Sequence, residues 1–227
     1  MADRSYAIRA AAINGHTEIV WQLLTKFQFD QADLNYTLQG ALSMDQVDVA
    51  KVLLKYSNVD PSANNNGAIH WATINGHSDI VKLLLRDDRV DPTIYGHFLI
   101  RLASIRGCLE IVKALLGDYR VDPSAIENYA IQWATSKGHS DIVKLLLRDD
   151  RVDPTIRDNS LIQLASYKGH LEVVKVLLGD SRVDPSANEN YSIKWASAKG
   201  HSDIVKLLLR DNRVDPSVCD NYLIQLA

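Results

Sequence analysis

The tripeptide Val-Asp-Pro begins at Val59, Val90, Val121, Val152, Val183 and Val214, 31 residues apart every time, and it holds all six prolines of the chain. Around it the repetition is nearly literal. The stretch GHSDIVKLLLRDDRVDPT, from Gly76 to Thr93, returns letter for letter from Gly138 to Thr155, and with two changes from Gly200 to Ser217. A looser sibling lies between the copies, starting at Gly107 and Gly169. A fixed period of this length means stacked units, each burying its apolar face against its neighbours. The expectation is one elongated array over 1–227, with units at about 5–34, 35–65, 66–96, 97–127, 128–158, 159–189 and 190–220 and a truncated 221–227.

Because the units are relatives of one another, positions can be compared within the molecule. In the unit from Asn159, Leu161, Ile162, Leu164 and Ala165 form one stripe of a short helix that Gly169 ends in the left-handed conformation. A second helix follows, with Val173, Val174, Leu177 and Leu178 on one face and Glu172 near its positive end. A proline-set turn completes the unit. Ser5, Asn35, Asn66, Asn128, Asn159, Asn190 and Asn221 share one column, with His97 its exception, and are expected to be helix N-caps. A Leu–Leu pair recurs from Leu23–Leu24 to Leu208–Leu209 as the main source of stability, Leu146 and Leu177 among them. A 62-residue super-period overlies the 31: Trp71, Trp133 and Trp195 alternate with Leu102, Leu164 and Leu226, and Arg86, Arg148 and Arg210 with Gly117 and Gly179.

These columns resemble a known family. A helix patterned (I/L)-(H/Q)-x-A-x-x-x-G-H, then (E/D)-(I/V)-V-K-x-L-L and a short hairpin, is similar to the ankyrin repeat, whose TPLHxAA signature survives in part as GAIHWAT from Gly67. The period is 31 rather than about 33, and Asn-(Tyr/Ser) stands where the family starts its helix with Thr-Pro. Arrays with short Val-Asp-Pro units resemble those abundant in large DNA viruses and unicellular eukaryotes. The resemblance implies an all-α, ankyrin-like solenoid of stacked helix-turn-helix repeats with short hairpin loops. It also implies a protein-interaction module that binds a protein or peptide on its concave face. The near-identical copies equally suit an engineered or consensus-like scaffold with a self-association surface.

Other classes find little support. A net charge of −3 lacks the basic excess of a nucleic-acid footprint. No apolar run approaches the ~18 residues of a membrane span. Cys108 and Cys219, more than three repeats apart, cannot pair when layers are ~10 Å thick and a disulfide needs Cα atoms within ~7 Å. The setting this implies is reducing and intracellular, hence cytoplasmic. The His-Ser-Asp run at His77, His139 and His201 is no relay, because successive helix residues point ~100° apart. Histidines one layer apart are too distant to share a metal. No phosphate loop, CxxC or HExxH occurs. No catalytic residue, no metal site and no cofactor are expected. The sequons at Asn35 and Asn190 fall in the supposed capping column, which is their better account.

What singles out a surface is departure from the chain's own pattern. Met44, Tyr56, Ile74, Tyr95, His97, Phe98, Ile105, Arg106, Tyr119 and Ile126 mostly replace polar siblings such as Lys137, Arg157, Asn159 and Asn188. They are the expected partner-binding residues, on a groove apolar over the first four units and polar beyond. Its occupant is a protein or peptide, another copy of the chain included.

Overall fold

The computed structural model describes residues 2–215 and 217, and of residues 2, 3 and 95 the backbone alone. The expected weak end at 221–227 lies outside the described residues. Among those residues every regular element is a helix. The helices come in hairpins: α1 (Ala2–Ile13) with α2 (Thr17–Lys26), α3 (Gln31–Ser43) with α4 (Val47–Leu54), and α5 (Ala63–Ile74) with α6 (Ser78–Leu84). Next come α7 (Ile94–Arg106) with α8 (Leu109–Leu116), and α9 (Ala125–Lys137) with α10 (Ser140–Leu146). The last two are α11 (Ile156–Lys168) with α12 (Leu171–Leu178), and α13 (Ala187–Ala198) with α14 (Ser202–Leu208). Chain contacts divide them into two compact units, Met1–Ala103 with Glu110–Val121, and Ser104–Leu109 with Asp122–Ala227. Within each unit first helix packs on first helix and second on second.

The core follows the columns. In α11, Leu161, Ile162 and Ala165 are buried, and in α12 so are Val173, Val174 and Leu177. The small alanines let neighbouring first helices approach. Of each Leu–Leu pair from Leu53 onward the first member is fully inside, as Leu146 and Leu177 are, while the second is half-buried or, at Leu209, exposed. The order reverses in α2, where Leu24 is buried and Leu23 only half so. Gly138 and Gly169 end their helices at φ 78° and 77°, the left-handed geometry expected of them.

One expectation is overturned. Among the described residues the asparagine column does not cap, and Asn221 lies outside them. Residues 64–66, 126–128, 157–159 and 188–190 are all left-handed, and the asparagine is the last of each trio. Its buried side chain points out of its own helix: Asn66 Oδ1 accepts the N–H of Asp91 at 2.7 Å and Asn159 Oδ1 that of Asp184 at 2.8 Å, each 25 residues on. Asn35, inside α3, does the same for Asp60, and Asn190 for Asp215. The turn before the helix is closed instead by the aspartate of Val-Asp-Pro. Asp184 Oδ1 accepts both the N–H and the hydroxyl of Ser186, and Asp153 those of Thr155.

Candidate functional site

The repeated polar residues are spent on joints. In Arg-Val-Asp-Pro the arginine folds back on the aspartate two residues earlier: Arg182 Nε and Nη2 donate to the two oxygens of Asp180 at 3.0 and 2.7 Å. Its remaining Nη1 reaches the carbonyl of Val152 in the preceding hairpin at 3.0 Å, as Arg120 reaches Val90 and Arg213 reaches Val183. The guanidinium hydrogen bonds hold the carboxyls of Asp87, Asp118, Asp149, Asp180 and Asp211 below the usual aspartate range, against the opposing effect of burial.

The histidines are joints too. Nε2 of His139, His170 and His201 meets the carbonyls of Ile105, Ser136 and Tyr167, each at 3.1 Å, and a carbonyl can only accept. The ring so placed fills the space where the preceding hairpin's turn glycine lacks a side chain. A Cβ on Gly169 would stand 2.6 Å from His201 Cε1. Asp45 breaks this pattern: it takes the glycine's left-handed place at φ 66°, and its carboxylate lies 2.6 Å from His77 Nε2. No three His, Cys, Asp or Glu side chains converge on one point among the described residues. Nor is any helix there long and apolar enough to cross a membrane.

What is left over faces outward from the first helices. In the first unit, Met44 is exposed just past α3 and Ile74 is half-buried at the end of α5. Phe98, half-buried in α7, meets His70 edge-on at 5.5 Å, and the Arg101 guanidinium lies 5.6 Å from its ring centre. Trp71 stacks beside His70, and burial lowers the pKa of that imidazole. His97 is half-buried at φ 58°; the side chain of Tyr95 is not described. Ile105, half-buried, and Arg106 and Ile126, both exposed, belong to the second unit.

Tyr56 and Tyr119 are placed elsewhere. Tyr56 donates its hydroxyl to the Leu24 carbonyl at 3.3 Å and lines a cleft of about 490 Å³ with Leu83 and Arg86. Tyr119, 92% exposed, borders a cleft with Arg86, Lys113 and Gly117 between the ends of second helices. The expectation that Tyr56 approaches the first-helix face is corrected, because its hydroxyl is drawn back to the preceding hairpin.

Against this geometry, a family model described as Ankyrin repeats (3 copies) matches residues 61–127, 99–189 and 131–220. The chain belongs to the ankyrin-repeat family. No curated protein matches it.

In these ankyrin repeats the first-helix face does not turn polar after the fourth unit, as the column comparison led one to expect. Trp133, Tyr167 and Trp195 are 41%, 37% and 41% exposed in the second unit, and Tyr167 meets Trp195 edge-on at 5.2 Å. The tryptophan column was visible in the sequence, where it alternates with Leu164, a residue expected in the core stripe; Leu164 is itself only half-buried, and the column follows two residues after the buried Ile131 and Ile193. At ~100° per residue two steps carry a side chain away from the core stripe. His70 and Arg101 share a column with Gln132, Gln163 and Lys194, a position with no constant chemistry to mark it as part of a face.

Proposed function

We propose that the chain is a protein-interaction module without chemistry of its own, and that one binding site is the first-helix face of the first unit. Ankyrin repeats are generally modules of this kind. The observation that carries the reading is the division of labour among the side chains. Repeated Asn, Asp, Arg and His hold hairpin to hairpin. Met44, Ile74, Trp71 and Phe98 lie partly open to solvent on the first helices. Aromatic and methionine side chains left open side by side supply the centre of an interface. The fitting occupant is a peptide or protein segment with apolar anchors, and His70 and Arg101 add polar edges to that floor.

The test restores the chain's own sibling residues, Met44→Lys, Ile74→Ser and Phe98→Ser together, and pans a displayed random-peptide library against the original protein. Selected peptides should lose at least about tenfold in affinity for the triple variant, three half-exposed apolar contacts at ~0.5 kcal/mol or more each. Its melting curve should still show a cooperative fold. Peptides indifferent to the three changes would place the site elsewhere.

A further inference from the structure

In the second unit the last turn of each first helix, or the residue just after it, carries a cation at one and the same column: Arg106, Lys137, Lys168 and Lys199. All four are exposed. None pairs with a carboxylate among the described residues; Lys168 and Lys199 only rest against the Tyr167 ring, 6.0 and 4.7 Å from its centre. A cation near a helix C-terminus complements the dipole whatever else it does. That cannot be the whole reason, since the same column in the first unit holds Asn14, Met44 and Asn75.

Beside the cations runs an apolar floor, with one large side chain per layer: Ile105, Trp133, Tyr167 and Trp195. Across that floor, at the helix starts, the carboxylates of Glu127 and Glu189 are already matched by Arg157 and by Lys194, the latter at 3.6 Å. Asp158, between them in the same column, is exposed and has no ion pair among the described residues, so this rail keeps one free carboxylate while the opposite rail carries four unmatched cations.

We infer that this face is a groove for an extended acidic peptide bearing Asp or Glu at every third residue, with an apolar residue between them. The spacing sets the register. Helix layers stack at ~8–10 Å, and a polyproline II chain advances ~3.1 Å per residue with three residues per turn, so three residues bridge one layer with successive acids on the same side, and about ten span all four cations. The intervening apolar side chain meets the aromatic of each layer, where ring faces and edges give specificity beyond charge. This inference rests on the interaction-module reading and adds to it a second surface and the chemistry of its occupant.

The experiment uses the full chain and three fluorescein-labelled decapeptides of identical composition, with glutamates at every third, every second or clustered positions and leucines elsewhere, read by anisotropy at low and physiological salt. The every-third peptide should bind at least about tenfold more tightly than the other two, the yield of a few matched charge pairs and apolar contacts. Lys137→Glu/Lys168→Glu/Lys199→Glu should abolish that preference, and Trp133→Ala/Trp195→Ala should weaken it. The Met44, Ile74, Phe98 triple variant, which keeps the second unit intact, should bind as the original does. Circular dichroism confirms the fold of each variant. Equal affinity for all three peptides, equal binding of a dT12 oligonucleotide, or a charge-reversed variant that still prefers the every-third register would each overturn the inference. If library-selected peptides remain sensitive to the first-unit variant in that event, the interaction-module reading stands and only the acidic register falls.

Discussion

At Asn159 two demands meet in one side chain. The backbone sits at φ 62°, where Asn is tolerated better than most residues, and the buried Oδ1 must take the Asp184 N–H. Asn159→Ala leaves that donor unpaired and should cost about 1–3 kcal/mol in urea denaturation. Leu177→Ala, for comparison, should cost about 2–5 for the cavity it opens. Asn159→Asp keeps an oxygen acceptor and should recover much of the loss; an Asp variant as weak as Ala would mean that the bond contributes little. The column itself was plain in the sequence, and Ser and Asn before an apolar stripe read naturally as caps. The partner is 25 residues away in the next hairpin, a bond no local rule anticipates. The sequons at Asn35 and Asn190 have the same explanation, both amides being buried and engaged.

The turn between the two helices of a hairpin repeats this lesson one level up. Glycine as helix stop was legible from its neighbours in the chain. That the histidine of one hairpin lies against the glycine of the hairpin before it was not, because the pairing exists only once the layers stack. Gly169→Ala should therefore be costly twice over, through a left-handed alanine at ~1–2 kcal/mol and through a Cβ 2.6 Å from the His201 ring. In a double-mutant cycle, His201→Ala should relieve the second cost and leave the first, giving a coupling of ~1 kcal/mol. Strict additivity in thermal unfolding would show that the ring simply moves aside. The exposed tryptophans teach the converse: their period was seen, but a periodic apolar residue announces a face and leaves open whether that face is covered.

Across the molecule, five aspartates carry carboxyls held below their ordinary range by an arginine two residues on. A depressed carboxyl stabilises the fold above its unfolded pKa, ~3.9, and that contribution is lost as pH falls through the folded value. The urea midpoint should stay flat with respect to these groups from neutral pH to about 5 and fall below about 4. Arg182→Gln should lessen the acid-dependent part; an identical acid slope in that variant would shift the cause to other carboxylates. The joints also have a direction. Arg182 and His201 donate to carbonyls of the hairpin before them, and the Asp184 N–H donates to Asn159, so every one of these bonds runs from the later hairpin to the earlier. Through these groups a hairpin offers donors to the hairpin before it and acceptors to the one after, although Ser5 and Gln39 donate the other way. Two copies related by a twofold axis would set donors against donors, whereas addition in a row matches them. If hairpin faces of two molecules ever mate through these groups, the polarity selects an open-ended filament over a closed symmetric pair.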